Sequence, residues 1–283
     1  MAVVMLSSDV PSVGDVVRLI NDLYPPALAL EWDAIGLVCG DPQAPVSSIL
    51  LTVDVGEEVS AEAIDRGADL LIAHHPLFLS GVTSVAATDV KGRVVHRLIR
   101  HGVALLTAHT NADRAVNGVS DALAASLGVV NCRPLESVGE RGEGLGRIGE
   151  LPAPMLLTDF ADVVARVLPF TRRGIHVAGD LMGSVQRIAV CGGSGDSLLT
   201  VADRAGADVL VTADLKHHRT LEHRQAGGCA VIDVPHWASE WPWLLSLQAS
   251  LQSALRHLPG GDTVEIMVSE ERTDPWTAHR VSE

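Results

Sequence analysis

SILLTVDVGEEVSAEAIDRGADLLIAHH, residues 48–75, reads as a strand, a helix and a second strand. Ile49 to Val53 and Leu70 to Ala73 are short unbroken apolar runs, the mark of strands buried on both faces, and Glu57 to Asp65 between them has room for a crossover helix. Two strands joined through a helix lie parallel, which places the chain in the α/β class. The pattern returns later. Ile188 to Val190 precede GGSGDSLLTVADRAGADVLVTAD at 192–214, where Asp203-Arg204-Ala205-Gly206-Ala207-Asp208 faces Asp65-Arg66-Gly67-Ala68-Asp69 after a one-residue gap. Such a restart predicts two related α/β lobes with mixed sheets and a functional site in the crevice between them. The histidine pair belongs to the first lobe only, since His74 and His75 face Ala213 and Asp214.

Outward from this core, Ser12 can cap an amphipathic helix carrying Val13, Val16, Val17, Ile20 and Leu23, stopped by Pro25 and Pro26. After the histidine pair the pattern predicts a helix around Val94 to Ile99, a strand at Val103 to Leu106, the loop AHTNAD at 108–113 and a helix from about Ser120 to Leu127. Residues 135–154, rich in Gly and Pro, read as a connector between a first lobe (1–134, with a C-terminal segment joining its site) and a second lobe (155–283).

Composition narrows the function. The 283 residues are 47% apolar, enough to bury a large core, and aromatics at 3% make that core aliphatic. A formal charge of -14, from 21 Lys and Arg against 35 Asp and Glu, denies the chain a general phosphate-neutralising surface, so DNA binding is not expected. Cys39, Cys132, Cys191 and Cys229 form no CxxC pair, which excludes zinc-ribbon and thioredoxin-type motifs. The N-terminal MAVVMLSSDVPSVGD lacks a basic leader, and no segment is apolar enough to span a bilayer. A cytoplasmic protein without membrane attachment is the expectation.

Three segments following apolar strands carry chemistry. His74-His75 ends the second strand, and Pro76 allows the turn that lets both side chains reach one cluster. His109-Thr110-Asn111-Ala112-Asp113 follows the next strand, and would otherwise be an Asx cap. His236-Trp237-Ala238-Ser239-Glu240 follows Ala230 to Ile232, and a helix starting at Pro235 puts His236 and Glu240 on one face. Each alone reads as ordinary loop polarity. Together His74, His75, His109, Asp113, His236 and Glu240 fit two divalent ions, Zn, Mn, Fe or Co, with no cysteine near the loops to suggest a structural zinc site. Two ions about 3.5 to 4 Å apart acidify a bridging water and hold both oxygens of a displacement, so the expected reaction is hydrolysis by a metal-bound hydroxide. Asp54, Asp214, Lys216 and His218 also follow strands and are candidates to support the ligands or to face a substrate, where the plain alternative is loop polarity. CGGSG at 191–195 reads as a tight strand-to-helix turn rather than a phosphate loop, and Arg172, Arg173 and Lys216 have no placement near the metals.

The phrases EWDAIGLVCGDP, GADLLIAHHPLF, TAHTNAD, GLGRIGEL, GADVLVTADLKHH and VIDVPHWASE, in this order, resemble the Nif-three-like dinuclear-metal family, also known as type 2 GTP cyclohydrolase I homologues. The resemblance implies that His74, His75, Asp113, His236 and Glu240 hold the metals, that the His109 position lines the site, and that Glu240 bridges both ions. It also implies a homohexameric ring and GTP as the small-molecule substrate, although no guanine-reading motif is evident; a phosphoester or other nucleotide-like substrate fits two metal ions equally well. Ala34, Pro235 and Trp237 depart from the residues common in the family; they spare the ligands and change the pocket's polarity. The rival expectation is a non-catalytic protein that stores, delivers or senses metal.

Overall fold

The structure, a computed structural model, describes residues 10–139 and 141–280. The start of the N-terminal segment read for a leader, up to residue 9, lies outside them. The chain divides into two compact units, the first made of residues up to 112 with 247–271 and the second of 113–246 with 272 onward.

The first unit is built on β1 (Gly36–Cys39), β2 (Ser48–Thr52), β3 (Leu70–Ala73), β4 (Ala104–Thr107) and β11 (Glu265–Val268), in the order β1-β4-β3-β2-β11. Only β1 runs antiparallel to its neighbour. Helices α2 (Glu57–Asp65) and α3 (Val90–Arg100) supply Val59, Ala63, Val94 and Leu98, which pack with Leu50, Leu71 and Leu105 of the sheet into one aliphatic core. Each of these Val and Leu side chains contributes on the order of 2 kcal/mol by leaving water. The expected first helix forms as α1 (Val13–Leu23). Ser12 accepts from the Asp15 N–H at 3.2 Å and the Asp15 carboxylate accepts from the Ser12 N–H at 2.8 Å, closing both ends of a capping box. Register then positions the chemistry. Thr52 lies beside Ala73 and Ala73 beside Thr107, so β2, β3 and β4 finish level and the residues after them leave the sheet at one edge.

The second unit carries β5 (Val130–Ser137), β6 (Gly144–Leu156), β7 (His176–Ala178), β8 (Ser184–Ser194), β9 (Val209–Ala213) and β10 (Ala230–Val234), in the order β5-β6-β8-β9-β10-β7. The expected restart is present: β8, α7 (Leu199–Arg204) and β9 repeat the strand-helix-strand course of β2, α2 and β3, with β8, β9 and β10 mutually parallel. Ala189, Leu198, Leu199, Leu210 and Val231 form its core. Ser194, Ala213 and Val234 are register partners, so these three strands also end level. Each unit therefore holds a mixed sheet, as the alternation of strands and helices predicts. The remaining α-helices among the described residues are α4 (Thr110–Arg114), α5 (Val119–Ser126), α6 (Leu157–Val167), α8 (His217–Gln225) and α9 (His236–Leu255).

Two expectations change. Residues 135–154 are not a free connector: they complete β5 and supply most of β6, an antiparallel pair inside the second unit. Their glycines serve close packing, as at Gly149, where a Cβ would come within 2.5 Å of the Val130 carbonyl. Arg147 of the same stretch is buried, forking onto Asp121 at 2.7 and 2.8 Å and capping the carbonyls of Gly144, Gly146 and Ala115. The loop at 108–113 is largely helix, because Asp33 and Asn111 take up the backbone N–H groups of Thr110 and His109 that begin α4.

Candidate metal centre

At the level edge of β3 and β4 the first unit gathers three histidines. His74 is buried, and its Nδ1 lies 3.0 Å from the carbonyl of Ala108. A carbonyl can only accept, so the proton sits on Nδ1 and the lone pair on Nε2. His75 Nδ1 donates to Asp54 at 2.7 Å, and His109 Nδ1 to Asp33 at 2.8 Å. Both carboxylates impose the same tautomer. The chain bends after Ala73, ahead of Pro76, so adjacent histidines turn to one side with ring centroids 4.9 Å apart, and His109 is 5.2 and 5.5 Å from the two rings. One ligating atom from each of the three lies within 4.8 Å of the others.

The electrostatics favour a neutral His109 ring. Burial and then the nearby His74 push the His109 pKa below 6.5, and the hydrogen bond to Asp33 opposes this without reversing it. Burial raises the Asp33 carboxyl, but hydrogen bonds from Thr110 and His109 outweigh it, so Asp33 stays below the ordinary carboxylate value and is ionised at neutral pH. Its side chain is fully buried.

The second unit gathers metal-ligating side chains of its own where β8, β9 and β10 end. His236 opens α9, and its Nδ1 is held by Asp214 at 2.7 Å. Nε2 of His236 stands 3.0 Å from Oε1 of Glu240, one helical turn on, and the Glu240 side chain is only 3% exposed. Two ligands on one ion at about 2.1 Å each are about 3.0 to 3.4 Å apart, which matches this spacing. Asp113 belongs to the same neighbourhood: burial first, then the charges of Asp113 and Glu240, push the Cys191 thiol up to about 12. Gly193 makes the cradle. Its φ is +68°, its N–H donates to Ser239 at 2.8 Å, and a Cβ there would run into Glu240 Oε1 and lie 3.0 Å from His236 Nε2.

The structure thus brings His74, His75 and His109 together in one unit, and His236 with Glu240 near Asp113 in the other. Asp54 and Asp214 take the supporting places considered for them. Sequence reading missed Asp33; its one visible signal was an acidic residue after Trp32 in a loop with no other task. CGGSG forms no anion cradle, since Ser120 and Ser239 already occupy the N–H groups of Gly192 and Gly193. Lys216 pairs with Asp196, Arg173 with Asp233, and Arg172 lies over Phe170.

A sequence model described as Duf34/NIF3 (NGG1p interacting factor 3) matches residues 11–275. A Streptomyces coelicolor protein named GTP cyclohydrolase 1 type 2 homolog is 46% identical over 275 residues, covering 96% of each chain. Among solved structures, a Staphylococcus aureus hypothetical protein superposes with a TM-score of 0.86 at 28% identity, over 95% of this chain and 100% of that one. A Bacillus cereus protein related to NIF3 gives 0.84 at 26%, over 94% and 99%.

Proposed function

The chain belongs to the Duf34/NIF3 family, and on that footing we propose that it is a metal-dependent hydrolase in which His74, His75, His109, Asp113, His236 and Glu240 hold two divalent ions. One observation carries the reading. All four histidines have Nδ1 tied to a carbonyl or carboxylate, at 3.0, 2.7, 2.8 and 2.7 Å, the outer-shell pattern that fixes an imidazole as an Nε2 ligand. Glu240, buried against His236, suits a bridging carboxylate.

When bound, a pair of Zn, Mn, Fe or Co ions supplies an acidified water and neutralises charge that develops on a substrate oxygen. The protein's part is preorganisation. Asp33, Asp54 and Asp214 orient the rings before any ion arrives, and Gly193 leaves space beside the carboxylate that a side chain would fill. A nucleotide or other phosphoester is the proposed substrate class, with GTP suggested by the name of the Streptomyces coelicolor relative. A homohexameric ring in the cytoplasm is part of the same proposal. Among the described residues no helix is long and apolar enough to cross a membrane, and the four cysteines form no disulfide.

The test is turnover of GTP, other nucleotides and simple phosphoesters by chelator-stripped protein before and after each metal is restored, beside Glu240→Gln. Turnover that returns with metal and is absent in Glu240→Gln supports the proposal. Turnover indifferent to chelation overturns it, and tight metal binding with no turnover on any substrate favours the storage or sensing reading instead.

A further inference from the structure

At the opposite edge of the second sheet, where β9 and β10 begin, three other metal-ligating side chains converge. Asp203 ends the α7 region, His223 lies in the last turn of α8, and Cys229 immediately precedes β10. One ligating atom from each lies within 4.8 Å of the other two. Five residues of strand, about 16 Å, separate this edge from the one carrying Asp214 and His236.

The local bonds prepare the ring. Nε2 of His223 lies 2.9 Å from the carbonyl of Cys229, which can only accept, so a neutral ring keeps its proton on Nε2 and turns the Nδ1 lone pair towards Oδ2 of Asp203 at 3.3 Å. Two acceptors facing each other at that distance require a cation between them, a proton or a metal ion, and 3.3 Å is the spacing of two ligands on one tetrahedral centre, about 3.4 Å. Sγ of Cys229 lies 3.8 Å from Nε2 of the same ring. The other Asp203 oxygen accepts from the Cys229 N–H at 2.8 Å, which locks the carboxylate to the cysteine's backbone. The ring is 5% exposed and rests on Gly228, where any Cβ would collide with it. Asp203 and Cys229 both line a cavity of about 550 Å³ together with Asp180, Asp208 and Arg224.

We propose that Asp203, His223 and Cys229 form a second, separate metal site for a borderline-soft divalent cation such as zinc, with its fourth coordination position open to this cavity. Binding displaces to water both the proton held between His223 Nδ1 and Asp203 and the thiol proton of Cys229; thiolate and carboxylate then balance the ion's two positive charges. A Cys-His-Asp nucleophile is the competing arrangement. Burial and the Asp203 charge push the Cys229 thiol up to about 12, opposite to the activation that a nucleophilic cysteine needs. A divalent ion in contact with the sulfur reverses that penalty.

Cobalt(II) titration of the full chain tests the site, because thiolate-to-cobalt charge transfer absorbs in the near ultraviolet and none of the six residues of the candidate centre is a cysteine. One charge-transfer equivalent per chain is expected in the wild type and equally in the His75→Ala, Glu240→Ala double variant, so the outcome is independent of the hydrolase reading. The band is expected to vanish in Cys229→Ser, weaken in Asp203→Asn and persist in Cys191→Ser. In wild-type protein, zinc in excess of what both proposed centres hold slows alkylation of Cys229, followed by peptide mass, about tenfold or more, and chelator restores the rate; this arm needs no variant to fold. Absence of the band, a band that survives Cys229→Ser, or an alkylation rate unchanged by zinc overturns the proposal.

Discussion

Replacing Gly193 with alanine separates the cost of a backbone conformation from the cost of a displaced ligand. The left-handed conformation at φ +68° costs an L-residue roughly 1 to 2 kcal/mol, offset by about 0.4 to 1 kcal/mol because alanine also restricts the unfolded chain. The net loss from the backbone alone is therefore about 1 kcal/mol. Gly67 is the control: its φ is +67° and nothing lies within 4 Å of where its Cβ would be, so Gly67→Ala should lose that amount and leave metal affinity unchanged. At Gly193 the new methyl group would overlap Glu240 Oε1, and a carboxylate 3% exposed has no solvent to retreat into. Ligand distances tolerate about 0.2 Å, so Gly193→Ala should lose more stability than Gly67→Ala and bind metal at least ~10 to 100-fold more weakly. Urea unfolding in chelator reads the first quantity, and calorimetric titration with zinc or manganese reads the second. Wild-type metal affinity in Gly193→Ala would refute the assignment of Glu240 as a ligand.

Other consequences follow from the same geometry. Asp33→Asn keeps the shape of the buried carboxylate while removing its charge from His109, and should weaken metal binding about 10 to 100-fold in titration with the folded spectrum unchanged; equal affinity would count against Asp33 as an anchor. Because His109 is held below 6.5 when folded, the unfolded chain takes up that proton first as pH falls. The metal-free protein should have this contribution in full above 6.5 and lose it as pH drops towards the folded value, with a shallower loss in His109→Gln when urea midpoints are measured across pH. Arg147→Met strips five hydrogen bonds from Asp121 and three carbonyls and should cost about 3 to 5 kcal/mol in urea unfolding without altering metal affinity; a loss under about 1 kcal/mol would show that the surroundings re-pair those groups.

The strand-helix-strand units were legible because continuous apolar runs and their crossover helices are local signals, and the level strand ends at Thr52, Ala73 and Thr107 follow from parallel pairing. The residue types of the six candidate ligands were legible too, since histidines and carboxylates directly after buried strands are conspicuous. Gly- and Pro-rich composition misled at 135–154. Glycine marks close approach of backbones as readily as a linker, and the contact of Gly149 with Val130 spans nineteen positions that no local pattern reveals. Asp33 escaped for the same reason: its bond to His109 joins residues 76 apart. Gly193 looked like turn punctuation because its neighbour Glu240 comes from another element.

Metal content decides whether the six residues hold two ions. The Cys229→Ser variant, in which the second proposed site is silent, and the same variant with His75→Ala and Glu240→Ala added would be purified without added metal and assayed by elemental analysis. About two ions per chain are expected in the first and a fall towards zero in the second. No metal in either, even after incubation with zinc, manganese, iron or cobalt, would contradict that assignment and leave the four ordered histidines without a function.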